Sequence, residues 1–150
     1  MIKFERILFP TDFSESSLEA LPYGIELAAL FNAELLILHV VPALPPMPSD
    51  AQYTSDIAKL AAKLRADAEA KLHESLQGKI PSELKSRRIL VRGHAADCIL
   101  GAIEKHQADL VVISTHGLTG WRHVLMGSVA EKVVRMSPVP VLSVRAKATS

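Results

Sequence analysis

The sequence has a single cysteine, Cys98, in 150 residues. That excludes an internal disulfide and any cage of thiolates around a metal. Cys98 falls on the apolar side of an expected helix and reads as a small core residue. An excess of either charge is also missing. Lys and Arg number 17 against 16 Asp and Glu, scattered along the chain. No face looks basic enough to neutralise many phosphates along a duplex, so a nucleic-acid partner is not expected. No apolar run approaches the roughly 20 residues of a membrane span, and the opening MIKFERILFPTDF turns polar too soon for a signal peptide. The expectation is a cytoplasmic protein without membrane contact. The histidines (His39, His73, His94, His106, His116 and His123) form no His-Glu-x-x-His pattern, so no dedicated transition-metal site is expected.

What is present suits one ordinary domain over residues 1–150. The chain is 49% hydrophobic and 22% charged, and long enough to bury roughly 70% of the surface its unfolded form exposes. Short β-branched runs at Arg6 to Phe9, Leu35 to Val41, Arg88 to Val91, Asp109 to Ser114 and Val139 to Val144 read as strands. Most are continuously apolar, as parallel strands covered on both faces should be.

Between them lie helical patterns. From Ile57, the residues Leu60, Ala61, Leu64, Ala68, Leu72 and Leu76 recur at helical spacing with charged residues opposite. A shorter helix runs from about Ala95 to His106 with Ile99, Leu100 and Ile103 inward, and another from near Ser128 to before Pro138. The first helix, about Ser14 to Phe31, contains Pro22 and Gly24 and is expected to kink there without breaking. Its apolar stripe would be Ala20, Leu21, Ile25, Ala28 and Ala29. Pro42 to Tyr53 is proline-rich and reads as a mobile surface loop, and residues 146–150 as a short flexible tail.

Alternating strands and helices imply a doubly wound, open, parallel α/β sheet of the Rossmann-like kind with right-handed crossovers. Such sheets bind ligands beyond the carboxyl ends of their strands, where the winding reverses. That places Pro10, Thr11 and Asp12 after the first strand, Val40 and Val41 after the second, and Ser114 to Gly117 after the fourth at the expected site. The fourth strand leads into STHGLTGWRHVLMGSVAEKVV. Gly117, Gly120 and Gly127 permit positive φ and close backbone approach, and the free N–H groups of the helix near Ser128 can face an anion. Thr115, His116, Thr119 and Arg122 could supply further donors. These features suit a triphosphate, but turns and an N-cap would also account for the glycines and Ser128.

The spacing Ser114-x-x-Gly117, nine residues, then Gly127-Ser128 resembles the nucleotide-binding signature of ATP-binding universal stress proteins. The opening ILFPTDFSESSLEAL, the run LLILHVV and the ending PVPVLSVR resemble that family's first, second and last strands, so the likeness spans about Lys3 to Arg145. It implies a five-stranded sheet in the order 3-2-1-4-5, of the adenine nucleotide alpha hydrolase-like kind. It also implies ATP with Mg²⁺ as ligand. Asp12 would lie by the ribose or metal-phosphate region, with Pro10 and Thr11 as the adjoining wall. Val40 would hold adenine through its main chain, and Gly117, Gly127, Ser128, Val129 and Ala130 would surround the phosphates. Ser114 stands where the family often has its first glycine, so its β-carbon would narrow the approach. Asp12 is also readable as a helix-capping acid.

The competing enzyme classes lack their signatures: no Gly-x-Ser-x-Gly elbow for a hydrolase, no Walker string, and no Gly-x-Gly-x-x-Gly after the first strand. A nucleotide-responsive module is therefore expected. Its alternatives are a module of the same fold that binds AMP or no nucleotide and acts by protein contact, and a slow ATPase. A homodimer is expected through the final strand, involving Val139, Val141, Leu142 and Val144, because an apolar edge strand invites pairing. The protein partner is unknown.

Overall fold

The computed structural model describes residues 1–46, 51–116 and 126–147, with the backbone alone for 51–53. In chain order the elements are β1 (Arg6–Pro10), α1 (Glu15–Leu18), α2 (Leu21–Phe31), β2 (Glu34–Pro42), α3 (Ala51–Leu76), β3 (Ser86–Gly93), α4 (Ala95–His106), β4 (Leu110–Ser114), α5 (Ser128–Met136) and β5 (Val141–Val144). The strands form one five-stranded sheet in the order β3-β2-β1-β4-β5, and every pairing is parallel. This is the expected doubly wound topology, and the winding reverses between β1 and β4.

The continuous apolar runs are explained by burial on both faces. On one face Ile7, Phe9, Leu35, Ile37 and Val112 pack with Ala20, Leu21 and Ala28 and with Leu72 and Leu76 of α3. On the other, Leu8, Leu36, Leu38, Val111 and Ile113 pack with Ile99, Ala102 and Ile103 of α4 and Ala130 and Val133 of α5. Each large side chain so buried contributes roughly 1.5–3 kcal/mol. Gly24 lies where α2 crosses β2; a β-carbon there would stand 3.3 Å from Leu35 Cδ1, so the glycine allows the close approach.

Several expectations need correcting. The first helix breaks rather than kinks: α1 ends at Leu18 and α2 restarts at Leu21. Pro22 sits in the first turn of α2, where its missing N–H costs no intrahelical bond. Ala29 is exposed. Along α3, Ala68, Leu72 and Leu76 are buried, but Leu60 is 48% exposed. The same helix begins at Ala51 and so takes the end of the expected loop. Cys98 is half-buried rather than core, and burial raises its thiol pKa.

The final strand is also shorter than expected. Val139 precedes β5, and Val144 is buried against this chain's own core. Backbone carbonyls of Pro140 and Val144 accept from Val111 of β4 and from Thr115, the residue after it, at 3.0 and 2.9 Å. Alternation along the strand turns the backbone groups of Leu142 toward β4 with them and leaves those of Val141 and Ser143 at the open edge. Among the described residues no helix is long and apolar enough to cross a membrane.

Candidate functional site

The sheet's carboxyl edge opens into a cavity of about 340 Å³ at the reversal between β1 and β4. Pro10, Thr11, Asp12, Val40, Ser114, Thr115, His116, Gly127, Ser128, Val129 and Ala130 all line it, so every expected site residue within the described region except Val41 is brought together. Gly117, Thr119, Gly120 and Arg122 lie outside the described residues. Val41, also considered, faces away into the protein and does not line the cavity. The sequence reading missed Ser17, Leu38, His39, Ala95, Ile99 and Ile113.

The β1–α1 turn is held by a chain of polar hydrogens. Ser14 Oγ donates to Asp12 Oδ1 at 2.5 Å and accepts from Ser17 N at 3.1 Å, and Ser14 N also donates to Asp12 Oδ1. Ser14 is therefore the N-cap, with Asp12 behind it. Ser17 Oγ gives its hydrogen to Ser14 O at 3.1 Å, so in its 2.8 Å contact with Thr11 Oγ1 it is the acceptor. Thr11 Oγ1 in turn accepts from Phe13 N at 3.1 Å. These contacts hold Phe13 at φ 67°, a left-handed conformation that costs a bulky residue roughly 1–2 kcal/mol.

His39, on β2, closes the wall. Its Nδ1 lies 2.8 Å from Thr11 O, a pure acceptor, so Nδ1 carries the hydrogen. Its ring stacks on Phe13 with centroids 4.0 Å apart. Burial lowers the His39 pKa more than the Thr11 carbonyl and Asp12 raise it, and Lys71 adds to the lowering. The imidazole is neutral at pH 7.

The opposite wall is the start of α5. Gly127 N donates to Thr115 O at 2.6 Å, fixing the helix to the end of β4. Gly127 is the N-cap and supplies no side-chain hydrogen bond to the first turn. Its φ is −66°, so positive φ is not the reason for glycine here. The reason is crowding: a β-carbon would stand 3.2 Å from Thr115 O. Thr115 Oγ1 bonds His116 Nδ1 at 2.9 Å, and Ser114 Oγ accepts from His116 N at 3.4 Å.

Beyond β1 the main chain of β2 is exposed to the cavity side. Leu38 O accepts from Thr11 N at 2.8 Å, and the last β1–β2 pair is Pro10 with Leu38. Two residues on, the strand alternation turns the N–H and carbonyl of Val40 to that same side. Leu38, Ile99 and Ile113 supply apolar wall. The result is a pocket with a main-chain donor and acceptor at one end, a helix N-terminus at the other, and greasy surface between.

The chain has relatives that share this architecture. It is 34% identical over 146 residues to universal stress protein MJ0531 of Methanocaldococcus jannaschii, covering 95% of this chain and 82% of that one. The solved structure of a second protein of that organism, MJ0577, superposes with a TM-score of 0.83 at 28% identity, covering 99% of this chain and all of that one. A universal stress protein solved in complex with cAMP shares the fold at a TM-score of 0.61 and 24% identity, over 97% of this chain and all of the other. The model of the universal stress protein family matches residues 3–145, nearly the whole chain, and this protein therefore belongs to the universal stress protein family.

Proposed function

We propose that the cavity binds an adenine nucleotide, ATP with Mg²⁺, and that the protein is a nucleotide-responsive stress module rather than a catalyst. One observation carries this reading: the α5 N-terminus, left without a side-chain cap by Gly127, lines the same cavity as Val40. Free N–H groups at a helix start favour phosphate. A main-chain N–H beside a carbonyl matches the ring acceptor and amino donor of adenine, an order that guanine reverses. Asp12 fits a magnesium ion bridged to phosphates, since that ion takes few protein ligands. The polar side chains at the wall bond each other, Asp12 to Ser14 and His116 to Thr115, which suits holding a ligand more than activating water.

The test is to denature freshly purified protein, identify released nucleotide by mass, and compare thermal shifts. At a hundredfold excess over Kd, ATP should stabilise by about 2.7 kcal/mol and GTP by much less. Equal shifts with the two nucleotides would remove the adenine assignment.

The cytoplasm is the proposed location. A homodimer is proposed through the β5 edge, where Val141 and Ser143 present backbone groups and Leu142 is 37% exposed. Ser143→Pro deletes an outward donor and should yield monomer in light scattering; a folded dimeric variant would move the interface elsewhere.

A further inference from the structure

The residue that the sequence reading passed over, His39, does more than fill the wall. We propose that His39 is a positioning residue: through Nδ1–H it holds the Thr11 carbonyl and so fixes the turn that presents Asp12 to the cavity. The site's function as a nucleotide pocket is taken from the reading above; the hold on the turn is a property of this chain's own geometry.

Three observations converge on the ring. Nδ1 reaches across from β2 to the first residue after β1, a contact 28 residues apart in sequence. The face of the ring lies against Phe13, the residue after Asp12, which stands at φ 67°. Asp12 is thus flanked on both sides by residues that His39 touches. The ordinary ladder between β1 and β2 ends at Pro10 and Leu38, followed by Thr11 N to Leu38 O. His39 extends the cross-strand hold by a side chain where the backbone ladder stops. The groups charged or titratable around it are Asp12 on the turn and Lys71 on α3; burial keeps the ring in the neutral form, whose single hydrogen sits on Nδ1.

Two substitutions separate the donor from the ring. His39→Asn keeps an N–H near the position of Nδ1 but loses the stacked ring. His39→Phe keeps an aromatic face against Phe13 but leaves the Thr11 carbonyl without its partner. Titrating the full-length variants with MgATP by calorimetry should show affinity within about threefold of wild type for His39→Asn and weaker by about tenfold or more for His39→Phe. A second readout is independent of nucleotide: the amide-to-Cα proton coupling of Phe13 reports its φ. It should stay at the wild-type value in His39→Asn and change in His39→Phe. Failure of wild type to bind MgATP would overturn the nucleotide reading alone, and the Phe13 coupling would still decide the positioning role. An unchanged Phe13 coupling in folded His39→Phe, or equal affinity loss in both variants, would overturn the proposal.

Discussion

Two helix starts face one cavity, and they are built in opposite ways. At α1 the polar chain Ser17 N–H to Ser14 Oγ–H to Asp12 closes the first turn on the protein's own side chains. At α5 the capping residue is Gly127, which offers no side chain to the first turn. The first arrangement spends its hydrogen bonds on holding a turn in place. The second spends no capping side chain, which on the proposed reading leaves its N–H groups to a phosphate. In the function proposed above, braced wall and anion seat are complementary parts of one pocket, and the difference between them is set by a serine in one N-cap position and a glycine in the other.

The strongest way to break this contrast is to place a charge at the open start. Gly127→Asp puts a carboxylate where phosphate should sit and a β-carbon 3.2 Å from Thr115 O. ATP affinity should fall by several kcal/mol, roughly a hundredfold or more, with the helical circular dichroism retained. Gly127→Ala separates the two causes. It keeps the crowding without the charge and should weaken binding by about tenfold or less. Retention of wild-type affinity by folded Gly127→Asp would mean that the two helix starts do not differ in the way described.

Damage to the closed start should be read in stability first. Ser17→Ala removes a buried hydroxyl that serves both Thr11 and the Ser14 carbonyl, and should cost about 1–3 kcal/mol in urea unfolding. Ser14→Ala removes the N-cap and should cost about 1 kcal/mol. In both variants ATP affinity should change less than in Gly127→Asp. An equal loss of affinity would make the closed start part of the phosphate seat.

The smallest effect is a pH dependence from the ring that braces the closed side. His39 has a lower pKa folded than its usual 6.5, so below that value the unfolded chain binds more protons. Its contribution is full above pH 6.5 and is lost as the pH falls through the folded value. Wild type should therefore lose more stability than His39→Asn between about pH 7 and pH 5. Parallel urea midpoints for the two across that range would count against a buried neutral imidazole.

Much of this fold was legible because burial leaves a simple trace. LLILHVV and LVVIS are apolar without alternation since both sheet faces are covered, and α4 falls at Ala95–His106 as its periodicity indicates. The break between α1 and α2 was not legible: Pro22 is compatible with both a kink and a first turn, and only packing decides. Leu60 fits the stripe of α3 yet stays exposed, because periodicity gives direction and not whether a neighbour is there. At the site, Asp12, Gly127 and Ser128 were found from spacing and position after a strand. His39 was hidden as one polar residue in an apolar strand, and Ser17 as one serine among several in a helix start. Their roles depend on side-chain contacts to Thr11, from another strand for His39 and from six residues further along the chain for Ser17.

The central claim is that the uncapped start of α5 receives the phosphates of an adenine nucleotide while β2 meets the base. The most direct measurement is a titration of ¹⁵N-labelled protein with MgATP, followed amide by amide. The account predicts the largest shifts at Ser128, Val129 and Ala130, with a second group at Val40, and much smaller changes at the Ser14–Ser17 start. Saturable shifts confined to other parts of the molecule, or none at Ser128 to Ala130 at millimolar nucleotide, would contradict it.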